Sequence, residues 1–137
     1  MTDEEVQCAI IQDAREYLAD ESHWLRDGRF TDTEVLQPIS TSDFSYVDPK
    51  VAFPEGVRCC AIGAMYRAGC VNPKIEKWRV HGIVRRLGVT LIGCIPASDR
   101  EAHQVDLPAS VPTWNDHTAT HESLLETFDR ARELLCM

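Results

Sequence analysis

The chain lacks any hydrophobic run long enough to cross a membrane, and it has no excess of basic residues. No segment approaches the roughly 18 apolar residues of a membrane span. The 14 lysines and arginines are outnumbered by 22 aspartates and glutamates, which gives a net charge of −8. Because phosphate neutralisation supplies most of the affinity for nucleic acids and anionic membranes, this balance disfavours both as partners. The N-terminus is acidic where a secretory signal would be basic, so we expect a cytoplasmic protein.

Several motifs that would indicate a reaction or a cofactor are also missing. The sequence contains no G-x-x-x-x-G-K-[ST] loop, no G-x-G-x-x-G turn and no G-x-S-x-G elbow, so we predict no cofactor. It has no pair of C-x-x-C units that would indicate a zinc ribbon. We interpret most of the cysteines as reduced, small, buried apolar residues. The six cysteines are Cys8, Cys59, Cys60, Cys70, Cys94 and Cys136.

What is present is typical of one globular domain. The chain has 137 residues and an apolar fraction of 44%, so we predict a single domain over residues 1–137. Apolar residues recur at helical spacing, which predicts a mainly all-α fold: a small four-helix domain with long irregular connections over residues 21–58 and 96–117. Short strands in the first connection remain an open alternative. The predicted helices cover residues 2–20, 59–70, 72–88 and 118–135.

The first and third predicted helices have clear start signals. Thr2 and Glu5 form a capping box, in which each residue satisfies a free amide of the other. Asn72 and Pro73 are a cap and a first helical residue, and Gly88 is the predicted end of that helix. The apolar face of the third helix comprises Ile75, Trp78, Ile83, Val84 and Leu87.

Two glycines shape the second predicted helix. Gly63 lies inside it, where glycine costs about 1 kcal/mol relative to alanine, which indicates close approach of another backbone. Gly69 is the predicted C-terminal stop. The run from Val89 to Ile95 is either a strand or a buried turn.

Three short motifs follow one another in the chain. They are Trp24 after the first helix, the segment Arg58-Cys59-Cys60-Ala61-Ile62-Gly63-Ala64, and Trp114-Asn115-Asp116 before the terminal helix. In this combination the chain resembles an uncharacterised family of small proteins from actinobacteria and their phages, a domain of unknown function in which a Cys-x-x-Gly-Ala helix start and a late Trp-Asn-Asp recur. The resemblance covers most of the chain outside residues 27–56 and 92–110. It implies a fold and a source, and no activity.

Cys60 is the candidate nucleophile. A cysteine at a helix N-terminus can have a lowered pKa, which is how catalytic thiolates are often presented. In this hypothesis His117 is the base, and Asp116 or, as an alternative, Asn115 orients it. The other interpretation, which we favour, is a small buried residue that lets its helix pack closely. The histidines considered as bases are His81, His103, His117 and His121.

Two further features have competing interpretations. His117 and His121 are four residues apart and are predicted to share a helical face, but without a third ligand we predict no metal site. In the Trp-Asn-Asp motif, Asp116 or Thr118 would cap the last helix and Trp114 would act as a hydrophobic staple. The alternative makes Trp24, Trp114 and Asn115 binding residues that line a pocket.

The sequence therefore favours a non-catalytic binding or regulatory accessory protein, such as a phage-encoded factor that acts on a host protein. The alternatives are a small cysteine-dependent enzyme centred on Cys60 and a binder of a small ligand. The oligomeric state stays open. The third helix carries a basic cluster that we interpret as a solvated face and not as a nucleic-acid site. Its members are Lys74, Lys77, Arg79, Arg85 and Arg86.

Overall fold

The computed structural model describes residues 1–33, 48–103 and 110–136. Within these ranges, only the backbone is described for residues 102, 103 and 110. Its helices are α1 (Asp3–Leu18), α2 (Pro49–Ala52), α3 (Ala61–Val71), α4 (Lys77–Cys94), α5 (Ala97–His103), α6 (Ser110–His117) and α7 (His121–Leu135), and Glu21–His23 form a 3₁₀ turn. The predicted all-α class is confirmed, and no strand occurs within residues 1–33, 48–103 and 110–136.

The four long helices α1, α3, α4 and α7 form the body of the domain and correspond to the four predicted ones. α1 packs on α3 and α7, α4 packs on the same two helices, and the short α6 lies against α3 and α4. These helices share one hydrophobic core. Its largest fully buried side chains are Trp114, Phe128, Ile10, Ile11, Leu18, Leu25, Met65, Leu87, Leu91, Leu124 and Val6.

α1 starts as the sequence predicts. The Thr2 hydroxyl accepts a hydrogen bond from the Glu5 amide, and the Glu5 carboxylate accepts one from the Thr2 amide, each at 3.1 Å. Val6, Ile10 and Ala14 are fully buried along one side of the helix. The capping box therefore fixes where the core-facing stripe of α1 begins.

The predicted bounds of the third helix were wrong at both ends. Asn72 caps only a turn, because its side-chain oxygen accepts the Lys74 amide at 2.9 Å, and α4 begins later, at Lys77. Gly88 does not end the helix, which continues to Cys94 and includes most of the segment expected to be a strand or turn. Gly88 is instead buried in the middle of α4, where continued packing on the core outweighs its poor helix propensity.

Two other residue assignments were wrong. Trp78 is not part of the apolar face, since 65% of its surface is exposed. Gly69 does not stop its helix, because α3 runs on to Val71. Gly69 lies against α4, and a Cβ there would come within 2.8 Å of Val80 Cγ1. Its role is therefore close helix packing.

The prediction for the last connection was also wrong. Trp114, Asn115 and Asp116 lie inside α6, so they neither cap nor staple the last helix. The cap of α7 is Thr120, whose hydroxyl accepts the Ser123 amide at 3.0 Å. In turn, the Ser123 hydroxyl accepts a hydrogen bond from the Thr120 amide at 2.9 Å.

The first connection is held by main-chain pairing around one cysteine. Cys59 forms isolated bridges with Trp24 and with Thr31. The Leu25 amide donates to the Cys59 carbonyl at 2.9 Å, and the Cys59 amide donates to the His23 carbonyl at 2.7 Å. Whether strands occur at residues 34–47 falls outside the ranges that the structure describes, as do residues 104–109.

The cysteines divide into two groups. Cys59, Cys60, Cys70 and Cys94 are free and buried, which confirms the interpretation of most of the cysteines. Cys8 in α1 and Cys136 after α7 form a disulfide across a sequence separation of 128, a pairing that the sequence did not indicate. By loop-closure entropy such a long loop contributes up to about 5 kcal/mol of stability. No helix among the described residues is long and apolar enough to cross a membrane.

Gly63 has the role that the sequence predicted. A Cβ at this position would overlap the carbonyl oxygen of Phe30, so the backbone of residue 30 lies directly on α3. The same Phe30 carbonyl accepts a hydrogen bond from the Cys60 amide at 2.9 Å. The contact therefore requires glycine and anchors the first connection to the start of α3.

We expect Gly63→Ala to lower the free energy of unfolding by about 3 kcal/mol or more, because the methyl group meets backbone that cannot rotate away. Gly82→Ala in α4 is the matched control, since a Cβ there meets nothing within 4 Å. It should raise stability by up to about 1 kcal/mol. Urea unfolding followed by circular dichroism measures both. Equal effects of the two substitutions would contradict the close contact.

Candidate functional site

The structure gathers most of the predicted site residues into one buried cluster. Asn115 and Trp114 are fully buried, Cys60 is 2% exposed and Trp24 is 9% exposed. They come from α6, from the start of α3 and from the chain after the 3₁₀ turn. Asp116 and His117 follow at the end of α6. The cluster is therefore a junction between segments that lie far apart in the sequence.

Asn115 is the centre of this junction. Its side-chain oxygen accepts hydrogen bonds from Trp24 Nε1 at 2.8 Å and from the Ala61 amide at 3.0 Å. Its side-chain nitrogen donates to the Leu25 carbonyl at 2.9 Å and to the Asp116 carboxylate at 3.0 Å. An asparagine amide has two acceptor and two donor positions, and all of them are used here. No hydrogen-bonding capacity remains for a ligand.

The tryptophans of the cluster are occupied as well. Trp114 Nε1 donates to the Asp99 carboxylate at 2.9 Å, which ties α6 to α5. The Arg26 guanidinium lies 5.0 Å from the centre of a Trp24 ring. Arg26 Nε also donates to the Asn115 carbonyl at 3.2 Å, at the end of α6 where carbonyls lack helical partners. The contacts of these residues therefore support the fold.

Cys60 is the N-cap of α3, as the sequence indicated. Its sulfur accepts the Gly63 amide at 3.3 Å. Burial nevertheless raises the pKa of the Cys60 thiol to about 12, because the loss of solvation outweighs the hydrogen bonds that the helix start donates. At neutral pH the side chain is a neutral thiol, which is a poor nucleophile. The hydrogen bond from the helix start offsets part of the free energy of burying this sulfur, but it does not convert the thiol to a thiolate.

Three of the described histidine side chains form hydrogen bonds with groups other than Cys60. Its sulfur has no histidine among its hydrogen-bond partners in the part of the chain that the structure describes. His81 Nδ1 lies 2.9 Å from the Tyr66 hydroxyl, and His121 Nε2 lies 2.7 Å from the Leu18 carbonyl oxygen. The side chain of His103 falls outside the described residues.

The predicted histidine face was wrong. His117 ends α6 and His121 starts α7, so a break in the helix separates the two side chains. Over the ranges described above, no group of three or more His, Cys, Asp or Glu side chains is arranged to hold a metal ion.

The exposed side of α4 is a second candidate site, of which the sequence analysis recognised only the basic residues and interpreted them as a solvated face. We call it the α4 face and define it by Trp78, Gly82, Arg85, Arg86, Val89 and Gly93. All six residues are exposed, with Trp78 at 65% and Val89 at 56%. They lie within about 100° around the helix, opposite the core-facing residues Val80, Leu87 and Leu91. Among the residues that the structure describes, the core therefore covers one side of α4 and leaves the opposite side exposed.

A spacing in the sequence could have revealed the α4 face. Trp78 and Val89 are eleven residues apart, and so are Gly82 and Gly93. Eleven residues are about three helical turns, so each pair lies along one line of the helix. The sequence analysis placed Trp78 with the core because its spacing from Ile75 also fits a helical stripe.

The α4 face is basic in an acidic protein. Residues 73–98 contain five lysines and arginines and one acidic residue, Glu76, whereas the whole chain has a net charge of −8. Arg79 and Arg86 each form an ion pair with Asp3 at the start of α1, at 2.6 and 3.2 Å. Those pairings lower the pKa of the Asp3 carboxyl. A carboxylate is thus already bound at the edge of the face.

Asn115→Ala should lower the free energy of unfolding by about 3 kcal/mol or more, because it leaves Trp24 Nε1 and the Ala61 amide buried without acceptors. Asn72→Ala is the matched control. Asn72 is the only other asparagine in the chain, and its side chain accepts a single exposed amide. Its loss should be about 1 kcal/mol. Chemical denaturation gives both values, and equal losses would show that Asn115 is not the centre of the junction.

Cys60 should not react with iodoacetamide in the native protein at pH 8, where its thiol is neutral and buried. Cys59, Cys70 and Cys94 should behave in the same way, since all are buried. The same reagent should label all four cysteines after unfolding in urea. Mass spectrometry of peptides reads each position separately. Native-state labelling of Cys60 at the rate of an exposed thiol would revive the nucleophile hypothesis.

Comparisons with known proteins give a family and no activity. No curated protein matches the sequence, and no solved structure matches the fold. The sequence does match the family of unknown function DUF6197 over residues 1–134, which include α1, the Asn115 junction, the α4 face and nearly all of α7. The chain is a member of the DUF6197 family of unknown function.

Proposed function

We propose that this protein is a non-catalytic binding protein whose protein partner docks on the α4 face. The observation that carries the proposal is the exposure of Trp78, at 65%, together with Val89, at 56%, on one side of a helix whose other side is core. Tryptophan and arginine are the residues most enriched at the energetic centres of protein interfaces. The α4 face presents both types.

The glycines of the face support the same proposal. Gly82 and Gly93 are inside α4, where each costs about 1 kcal/mol relative to alanine. Unlike Gly63, they have nothing within 4 Å of the position where a Cβ would stand. Packing among the described residues therefore does not require glycine at either position. An approaching backbone would require it, because glycine lets two elements come closer than any other residue.

The charge of the face favours a different protein over a second copy of this chain. In a two-fold symmetric pairing of α4 faces, Arg85 and Arg86 would meet the same residues of the other copy. Like charges brought together in an interface are destabilising. An acidic partner, in contrast, gains from both arginines.

The role that we propose is that of a regulatory accessory factor. The resemblance to proteins of actinobacteria and their phages supports a host protein as the partner. Burial of Cys60, and its use as a helix cap, favours this role over a cysteine-dependent enzyme. We propose a cytoplasmic location, which agrees with four unpaired cysteines. The Cys8–Cys136 disulfide is the feature that disagrees, since such bonds are uncommon in reducing compartments.

The test is an affinity capture followed by a measured affinity. The wild-type protein, Trp78→Ala and Leu134→Ala are immobilised and exposed to lysate of actinobacterial cells, the hosts that the resemblance suggests. Leu134 is the matched control, because it is 66% exposed but lies on α7. The captured protein is then purified, and its Kd for each variant is measured by calorimetry. Trp78→Ala should weaken binding at least about ten-fold, and Leu134→Ala should leave it unchanged.

Two results would contradict the proposal. One is the absence of any captured protein whose binding depends on Trp78. The other is an equal loss of affinity in Trp78→Ala and Leu134→Ala, which would place the contact elsewhere. Both variants change exposed side chains, so circular dichroism should show unaltered helix content.

A further inference from the structure

We infer that the partner element bound by the α4 face is an acidic amphipathic helix. Its carboxylates would bind Arg85 and Arg86, and its apolar side chains would pack on Trp78 and Val89. This inference rests on the proposed function and adds the chemistry of the partner.

The structure contains one example of this chemistry within the chain. α1 starts with three acidic residues, Asp3, Glu4 and Glu5. The carboxylate of Asp3 bridges two arginines of α4: its Oδ1 atom lies 2.6 Å from Arg79 and its Oδ2 atom lies 3.2 Å from Arg86. The acidic end of one helix is therefore already held beside Trp78 and Gly82. A partner helix with similar residues would meet the same type of donors further along α4.

The face has cationic groups left for such a partner. In the part of the chain that the structure describes, Arg85 forms no hydrogen bond and no ion pair, and it is exposed. The side chain of Arg86 is paired with Asp3 on one side but remains 63% exposed. Arginine binds carboxylates through a planar fork of donors, which makes both residues suited to aspartate or glutamate.

The shape of the face favours a helix over a loop. From Trp78 to Gly93 the face covers sixteen residues of α4, whose fifteen helical rises span about 22 Å. Its apolar residues and its glycines each repeat after about three turns, so the surface is long, narrow and straight. Because Gly82 and Gly93 have no side chains, they leave shallow depressions into which the side chains of a second helix can pack. A helix that crosses α4 at a small angle contacts this whole length.

Fluorescence of Trp78 provides the measurement. Trp24 and Trp114 are buried, so Trp78 is the tryptophan whose emission responds to a ligand at the surface. The probe is a synthetic peptide of about 18 residues with leucine and glutamate at helical spacing. Its counterpart carries lysine at every glutamate position. A duplex DNA of similar length is the third probe.

We expect a blue shift of Trp78 emission with the glutamate peptide, and an affinity at least about ten-fold higher than for the lysine peptide. Arg85→Glu should lower that affinity at least about ten-fold. Arg132→Glu on α7 makes the same change of charge on a half-exposed arginine away from the face, and it should have little effect. Asp3→Asn should raise the affinity a few-fold, because it releases Arg86 for the peptide.

Four outcomes would overturn the inference. They are no binding of the glutamate peptide, equal or tighter binding of the lysine peptide, tighter binding of DNA, and equal effects of Arg85→Glu and Arg132→Glu. If a captured protein depends on Trp78 but any of these occurs, the binding role stands and the acidic helix is wrong. If no capture depends on Trp78, the binding role itself fails.

Discussion

The fold depends on one buried amide. Asn115 connects α6 to the chain at Trp24 and Leu25 and to the first amide of α3 through hydrogen bonds of 2.8 to 3.0 Å. Each group that it contacts would otherwise be a polar atom buried without a partner, which is costly in a protein interior. Trp24 and Leu25 lie outside the helices. The Asn115 side chain therefore provides these residues with hydrogen bonds of the kind that a helix provides within itself. Cys60 and Gly63 then complete the attachment of that chain to α3.

The sequence predicted well where the signal is local. The capping box of Thr2 and Glu5 and the close contact at Gly63 need only neighbouring residues or the absence of a side chain to be recognised. The Trp114-Asn115-Asp116 segment was misplaced for the opposite reason. Asparagine is a good helix cap because its amide bonds nearby backbone, but the partners of Asn115 lie as far as 91 residues away. Local propensity contains no information about such partners.

The candidate sites show the same division. The sequence predicted the position of Cys60 at a helix start and, as the favoured interpretation, its burial. It could not show that the loss of solvation outweighs the helix start in setting the pKa of this thiol. The sequence showed the basic cluster on the third helix. The exposure of Trp78, however, depends on which side of α4 faces the core. In a helix with apolar residues on two sides, periodicity alone does not show which side the rest of the chain covers.

The disulfide has a mechanical consequence. Because Cys8 and Cys136 are bonded, the residues between them, with all helices except the first turn or so of α1, form one covalent ring. A pulling force on the segments outside the ring first loads the start of α1, where Val6 is buried and Asp3 pairs with α4, and is then carried by the sulfur–sulfur bond and not by the interfaces between the later helices. A single backbone cut in any exposed connection leaves one linked molecule. While that bond is intact, tension on the segment before Cys8 reaches α4 through the ion pairs of Asp3 and not through the chain of the ring itself.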